Sequence, residues 1–156
     1  MRKHFARLSV WSLPALCAAA LVSGFAVASP DEAKTLAALD DSWSKAAGTK
    51  NVDAVVSYYA DNAVAYPPNE PLAVGTAAIR KVWASYLTTP TFQISWKTTA
   101  SGAEKAWGWT TGTYEDSFTG PDGKPVVEKG KYLCLWHKGP DGKWKAVRDM
   151  WNSDSK

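Results

Sequence analysis

The five residues Gly-Pro-Asp-Gly-Lys occur twice, at 120–124 and 139–143. Proline presets φ at the second position of such a turn. Aspartate tolerates the third, and glycine takes the left-handed φ that folds the chain back. Each copy must therefore join two antiparallel strands. The repeat is one turn solution used twice, not a duplicated unit. The stretch 130–154, GKYLCLWHKGPDGKWKAVRDMWNSD, holds the second hairpin. Its flanks alternate: Tyr132, Cys134 and Trp136 share one face, Leu133 and Leu135 the other. After the turn, Val147, Asp149 and Trp151 are expected to face one way. Trp144, Ala146, Arg148 and Met150 are expected to face the other. A sheet with one wet face would be polar at alternate positions. Here both faces carry large apolar groups, so both are expected to be covered. Helices can cover one; a second sheet layer or another subunit must cover the other.

The 156 residues allow one domain, and the first 28 are not expected to belong to it. Arg2, Lys3 and Arg7 make a basic start, an apolar run fills 8–22, and Ala26-Val27-Ala28 is a small-x-small cleavage site. This reads as a secretory signal peptide cut after Ala28, leaving a domain over 29–156 in the periplasm or outside the cell. An uncleaved anchor is the alternative, but Ser12, Pro14, Ser23 and Gly24 weaken a spanning helix. A lipid-anchored Cys17 is a further one. Removal of the signal leaves 15 basic residues against 15 acidic ones, because three of the 18 bases lie in it. A neutral mature chain gives no argument for nucleic acid or for an anionic membrane as partner. Cys134 is then the lone cysteine and His137 the lone histidine. No intrachain disulfide, metal site or Ser-His-Asp arrangement is expected. Cys134 reads as a small buried hydrophobe, with a pocket thiol as the alternative.

Ser29-Pro30-Asp31-Glu32 is a capping box with proline at the first helical position. Leu36, Leu39, Trp43, Ala46 and Ala47 follow at helical spacing, and Gly48 ends the helix. Asp40 and Asp41 read as its solvated face. Asn51 caps a second helix whose stripe is Val52, Val55, Val56 and Tyr59. A short strand at 63–66 runs into a proline-rich turn at 67–71, which cannot be helix or central strand. Thr76 is expected to cap a third helix with Ile79, Val82, Trp83 and Tyr86 on one side. From Thr91 the period changes from 3.6 to 2. In the long strand after it, Trp107 and Trp109 oppose Gly108, Gly112 and Tyr114. Glycine inside a strand weakens it unless the sheet bends or something packs close. Three amphipathic helices ahead of a meander of long, mostly antiparallel strands make an α+β cone with a cavity at its open end.

Residues 58–80, YYADNAVAYPPNEPLAVGTAAIR, carry a family resemblance. They resemble the nuclear transport factor 2-like superfamily, with its cystatin-like cone, its steroid delta-isomerases and its SnoaL-type polyketide cyclases. Gly112-Thr113-Tyr114, Gly130-Lys131-Tyr132, Trp136 and the run Arg148-Asp149-Met150-Trp151-Asn152 are similar to the exported SnoaL-like branch. The resemblance implies a cone lined by Trp43, Tyr59, Tyr66, Trp83, Tyr114, Tyr132, Asp149 and Trp151; a homodimer is expected because both sheet faces are apolar. Trp43, Tyr59 and Trp83 also lie on the apolar helix stripes. The resemblance also locates the isomerase machinery. The general-base aspartate falls on or beside Pro67, the oxyanion tyrosine on Trp43 and the second acid near Gly130. None of those residues can do the job, so steroid isomerisation by the usual route is rejected.

Three functions remain open. One is a cofactor-free binding protein for a small apolar or aromatic molecule, since indoles and phenols combine apolar area with a polar tip. A second is a cyclase or isomerase using Asp149 for acid–base work, its pKa raised by burial and lowered by a tyrosine hydroxyl or Arg148. The bland alternative for Asp149 is a structural hydrogen bond or ion pair. The third is a dimerisation module with a filled core. The subunit contact is expected on the convex sheet face, through Trp144, Ala146 and Met150.

Overall fold

The computed structural model describes residues 30–154. The expected signal segment and Ser29 lie outside them. Two helices, α1 (Pro30–Gly48) and α2 (Val52–Val56), precede strand β1 (Tyr59–Tyr66). A short strand, β2 (Ala73–Val74), leads into helix α3 (Thr76–Leu87). The meander follows as β3 (Gln93–Glu104), β4 (Trp107–Thr119), β5 (Pro125–Lys138) and β6 (Trp144–Ser153). The sheet runs β2-β1-β6-β5-β4-β3, and all pairs are antiparallel except β1 with β6. The helices lie on one face of this curved sheet, as the α+β reading requires.

Both repeated turns close alike. Gly123 and Gly142 take φ of 76° and 77°. The amides of Gly120 and Gly139 donate to Lys124 O and Lys143 O at 2.8 Å. Asp122 and Asp141 accept from the amide two residues on at 3.1 Å.

The strand glycines are there for close approach. A Cβ at Gly112 would lie 2.0 Å from Lys97 O, and one at Gly130 2.2 Å from Asn152 O and 2.3 Å from the Tyr114 ring. At Gly108 it would meet Leu36 Cδ1 at 2.2 Å, so α1 settles onto β4 where no side chain stands. Ser44 Oγ, on α1, accepts from the Trp96 amide at 2.8 Å, and Ser101 Oγ donates to Ala33 O at 2.8 Å. These bonds tie α1 to β3. Trp43 is the centre of the core. Its ring meets Tyr59, Trp96 and Trp136 edge-on at 4.9, 5.6 and 5.6 Å, and its indole N–H donates to Val55 O at 3.0 Å. A satisfied donor lets so large a ring be buried without an orphaned polar group, and burial of this kind contributes about 3 kcal/mol.

Several boundaries differ from the sequence reading. Helix α2 stops at Val56, and Tyr59 opens β1 instead of completing a helical stripe. Gly75, not Thr76, is the N-cap of α3. Its φ of 79° suits glycine, and its amide donates to Ala63 O at 2.8 Å. The largest difference is in β6. Leu135 pairs with Arg148 but Trp136 pairs with Ala146, so Val147 is an extra residue. Such a bulge reverses the alternation. Trp144 and Ala146 therefore lie on the helix-covered face with Asp149, at 7% and 0% exposure. They are not convex-face residues. Met150, at 51%, is.

Candidate functional site

A cavity of about 350 Å³ opens between α1, α3 and the concave face of β3–β6. Nine aromatic residues line it: Trp43, Trp83, Tyr86, Phe92, Trp96, Tyr114, Phe118, Tyr132 and Trp151. Trp83 stacks on Trp151 at 6.1 Å and stands 6.1 Å from Trp96. Pro68 and Asn69, from the proline-rich turn, reach the wall. Glu70 beside them accepts from Tyr86 OH at 2.9 Å and so fastens that turn to α3.

Two buried carboxylates stand at the inner end. Asp149, 6% exposed, lines the cavity from β6. Tyr59 OH donates to its Oδ2 at 2.5 Å and itself accepts from Trp83 Nε1 at 3.0 Å. Burial pushes the Asp149 carboxyl up to about 7; the Tyr59 hydrogen bond pulls it down and the charge of Asp40 raises it further. Arg148 takes no part, because its guanidinium donates to Val147 O at 2.6 Å. Asp40, fully buried on α1, accepts from Trp96 Nε1 at 2.9 Å, Thr98 Oγ1 at 3.2 Å and Tyr132 OH at 2.7 Å. Burial and then Asp40 hold the Tyr132 hydroxyl well above the usual phenol range.

A second acidic pair sits on the outer part of the wall. Asp116 on β4 and Glu128 on β5 are cross-strand partners, and both line the cavity. Burial, then Glu128, raises the Asp116 carboxyl to about 6. Its Oδ1 is shut off from solvent and has no hydrogen-bond partner among the described residues. Tyr114, two residues before Asp116, is pushed up to about 12 by burial and then by Asp116 and Glu128.

Six of the eight residues expected to line the cone do so: Trp43, Trp83, Tyr114, Tyr132, Asp149 and Trp151. Tyr59 stands behind Asp149 and touches the site through that carboxylate. Tyr66 is on the other face: it pairs with Met150, while its neighbour Ala65 pairs with Asp149. Asp40 is no solvated residue. It falls at i+4 from Leu36 and i−3 from Trp43, inside the apolar stripe, and that spacing is the signal that identifies it. Asp116 shares strand parity with Tyr114 and Phe118, which marks it in the same way. Cys134 pairs with Asp149 across the sheet but lies wholly buried, and burial pushes its thiol up. It behaves as a core side chain.

The positions of the isomerase machinery are closed by geometry as well. The Trp43 N–H is already bonded to Val55 O, and the Tyr114 ring fills the space over Gly130.

Residues 41–147 match the SnoaL-like domain family. The chain belongs to that family. Solved structures agree on the fold. A ketosteroid isomerase-like protein from Erwinia carotovora atroseptica SCRI1043 superposes with a TM-score of 0.66 at 21% identity, over 78% of this chain and 94% of its own. An NTF2-like protein of unknown function from Pseudomonas putida KT2440 gives 0.69 at 13% identity, over 81% and 89%. An NTF2-like protein with a cystatin-like fold from Novosphingobium aromaticivorans gives 0.65 at 13% identity, over 79% and 82%. No curated protein matches the chain. The SnoaL-like fold is thus the NTF2-like, cystatin-like cone expected from the sequence. Fold alone does not carry an activity, which has to be argued from the cavity.

Proposed function

We propose that this SnoaL-like domain is an exported, cofactor-free binding protein that holds a small, flat, mostly apolar molecule in its aromatic cavity. The observation that carries the reading is the cavity itself, about 350 Å³ and walled by nine aromatic residues. That size is at the lower end of the range for small-molecule sites. The filled-core alternative calls for no space of ligand size. Four tryptophans in the wall give a direct readout. Titration with 1-naphthol is expected to quench their fluorescence saturably. Absence of any saturable change up to the solubility limit would overturn the reading.

An acid–base role is the second reading, and a specific observation favours it. Asp149 borders the cavity, takes a hydrogen bond from Tyr59 and titrates near neutrality. A carboxyl so tuned can both accept and return a proton at ordinary pH. Under this reading Asp149→Asn keeps ligand binding and loses turnover. Turnover that survives the substitution removes Asp149 from the chemistry. In either case the open sheet face is the proposed homodimer contact, centred on Leu133 and Met150, which pair across β5 and β6 at 50% and 51% exposure.

A further inference from the structure

The hydrogen-bonding groups around the cavity are unevenly spent. Its donors are largely committed inside the protein: Trp96 Nε1 and Tyr132 OH to Asp40, Trp83 Nε1 to Tyr59, and Tyr86 OH to Glu70. Among the carboxylate acceptors Asp40 is spent as well, and the other three are not. Asp149 is bonded only through Oδ2. Among the described residues no hydrogen bond or ion pair is made by the Asp116 or Glu128 carboxylate, and one Asp116 oxygen is orphaned out of contact with water. Among the described residues four carboxylates line the space, and no lysine, arginine or histidine does. An uncompensated buried carboxylate is costly, and structures normally provide it with a partner. Here the cavity offers the room for one.

The rings supply the second half. A cation beside an aromatic face gains about 0.5–2 kcal/mol, the more so when water is excluded. Tyr86, Phe92, Tyr114 and Phe118 line the same cavity as the Asp116–Glu128 pair. A low-dielectric cleft lined by one sign of charge also concentrates the opposite charge. A metal ion is a poor fit, because calcium takes about six to eight oxygen ligands and two carboxylates among phenyl rings do not provide them.

We propose that the molecule held in this cavity is an organic cation, an ammonium on a flat apolar body, with its charged nitrogen between Asp116 and Glu128. The inference rests on the reading of the cavity as a ligand site and adds the charge of the ligand to it. The burial and the Glu128 charge that raise the Asp116 carboxyl are the strain such a nitrogen would relieve.

Two probes of nearly equal size decide it: 2-phenylethylammonium and 2-phenylethanol, titrated calorimetrically into the chain at about pH 8, where carboxyls near neutrality are ionised. The ammonium is expected to bind about tenfold tighter or better than the alcohol. In the double variant Asp116→Asn, Glu128→Gln that preference is expected to fall to about twofold or less, with the affinity for the alcohol unchanged. Both substitutions remove repulsion, so the fold is not at risk. Equal or tighter binding of the alcohol to the unaltered chain overturns the cationic ligand and leaves the cavity reading intact. A preference that survives in the double variant overturns the seat between Asp116 and Glu128. Failure of both probes to bind overturns the cavity reading and this inference with it.

Discussion

At the scale of single residues, what distinguishes this cone is where its carboxylates stand. Asp40 and Asp149 are both buried in the cavity wall, yet they are handled differently. Asp40 receives three side-chain donors; Asp149 receives one and keeps an oxygen free. The consequence for stability has a definite sign. In the unfolded chain Asp149 titrates near 3.8, and in the fold near 7. Between those values the folded chain keeps a proton that the unfolded chain has lost. The Asp149 contribution is therefore most favourable in acid, falls as pH rises from about 4 to about 7, and levels off above that. Its full weight is about 4 kcal/mol. Asp116 acts in the same direction, but it is only half-buried and solvent screens it. Asp149→Asn is expected to be more stable than the unaltered chain by about 1–3 kcal/mol at about pH 8, and to lose most of the pH slope. Urea unfolding at about pH 5 and about pH 8 checks this; an unaltered chain no less stable at the higher pH would contradict it.

At the scale of elements, the sequence was most readable where one residue type has one physical use. The two Gly-Pro-Asp-Gly turns and the glycines of β4 and β5 stand where backbone conformation or contact demands them. Parity was readable through Trp136 and again from Arg148, and it failed only for the β6 residues ahead of Val147. The bulge at Val147 leaves no mark in a run of ordinary strand residues, because the pairing that creates it is set by β1 and β5 together. That is why Trp144 and Ala146 were placed on the wrong face and Asp149 on the right one. The aromatic wall was legible from the helix stripes and strand alternation. Of its acidic residues Asp149 was legible and Asp40 was not, because charge on an amphipathic helix reads as solvated until its position in the stripe is counted. The strand glycines provide the test at this scale. Gly130→Ala drives a methyl against Asn152 O and the Tyr114 ring, neither of which can step aside. It is expected to destabilise the fold by about 2 kcal/mol or more, seen as a lowered urea midpoint with an unchanged slope. A midpoint equal to that of the unaltered chain would mean the strands can separate there.

At the scale of the whole molecule, one sheet face is covered by helices and the other is bare. Trp107, Trp109, Leu133 and Met150 are each between 41% and 51% exposed on the bare face. Apolar groups of this size grouped on a sheet mark a contact surface. Sedimentation at micromolar concentration is expected to give a dimer, and Leu133→Asp with Met150→Lys a monomer that keeps the cavity. A monomeric unaltered chain would contradict the proposed contact. The sheet order has one more outcome. The last strand made, β6, lies between β1 and β5 in the middle of the sheet. Until it emerges, a growing chain holds two raw strand edges with their amides and carbonyls unpaired, and the cavity wall lacks Asp149 and Trp151. Edges of that kind invite pairing with other chains. A polypeptide ordered this way completes its sheet and its cavity together, when β6 enters between β1 and β5.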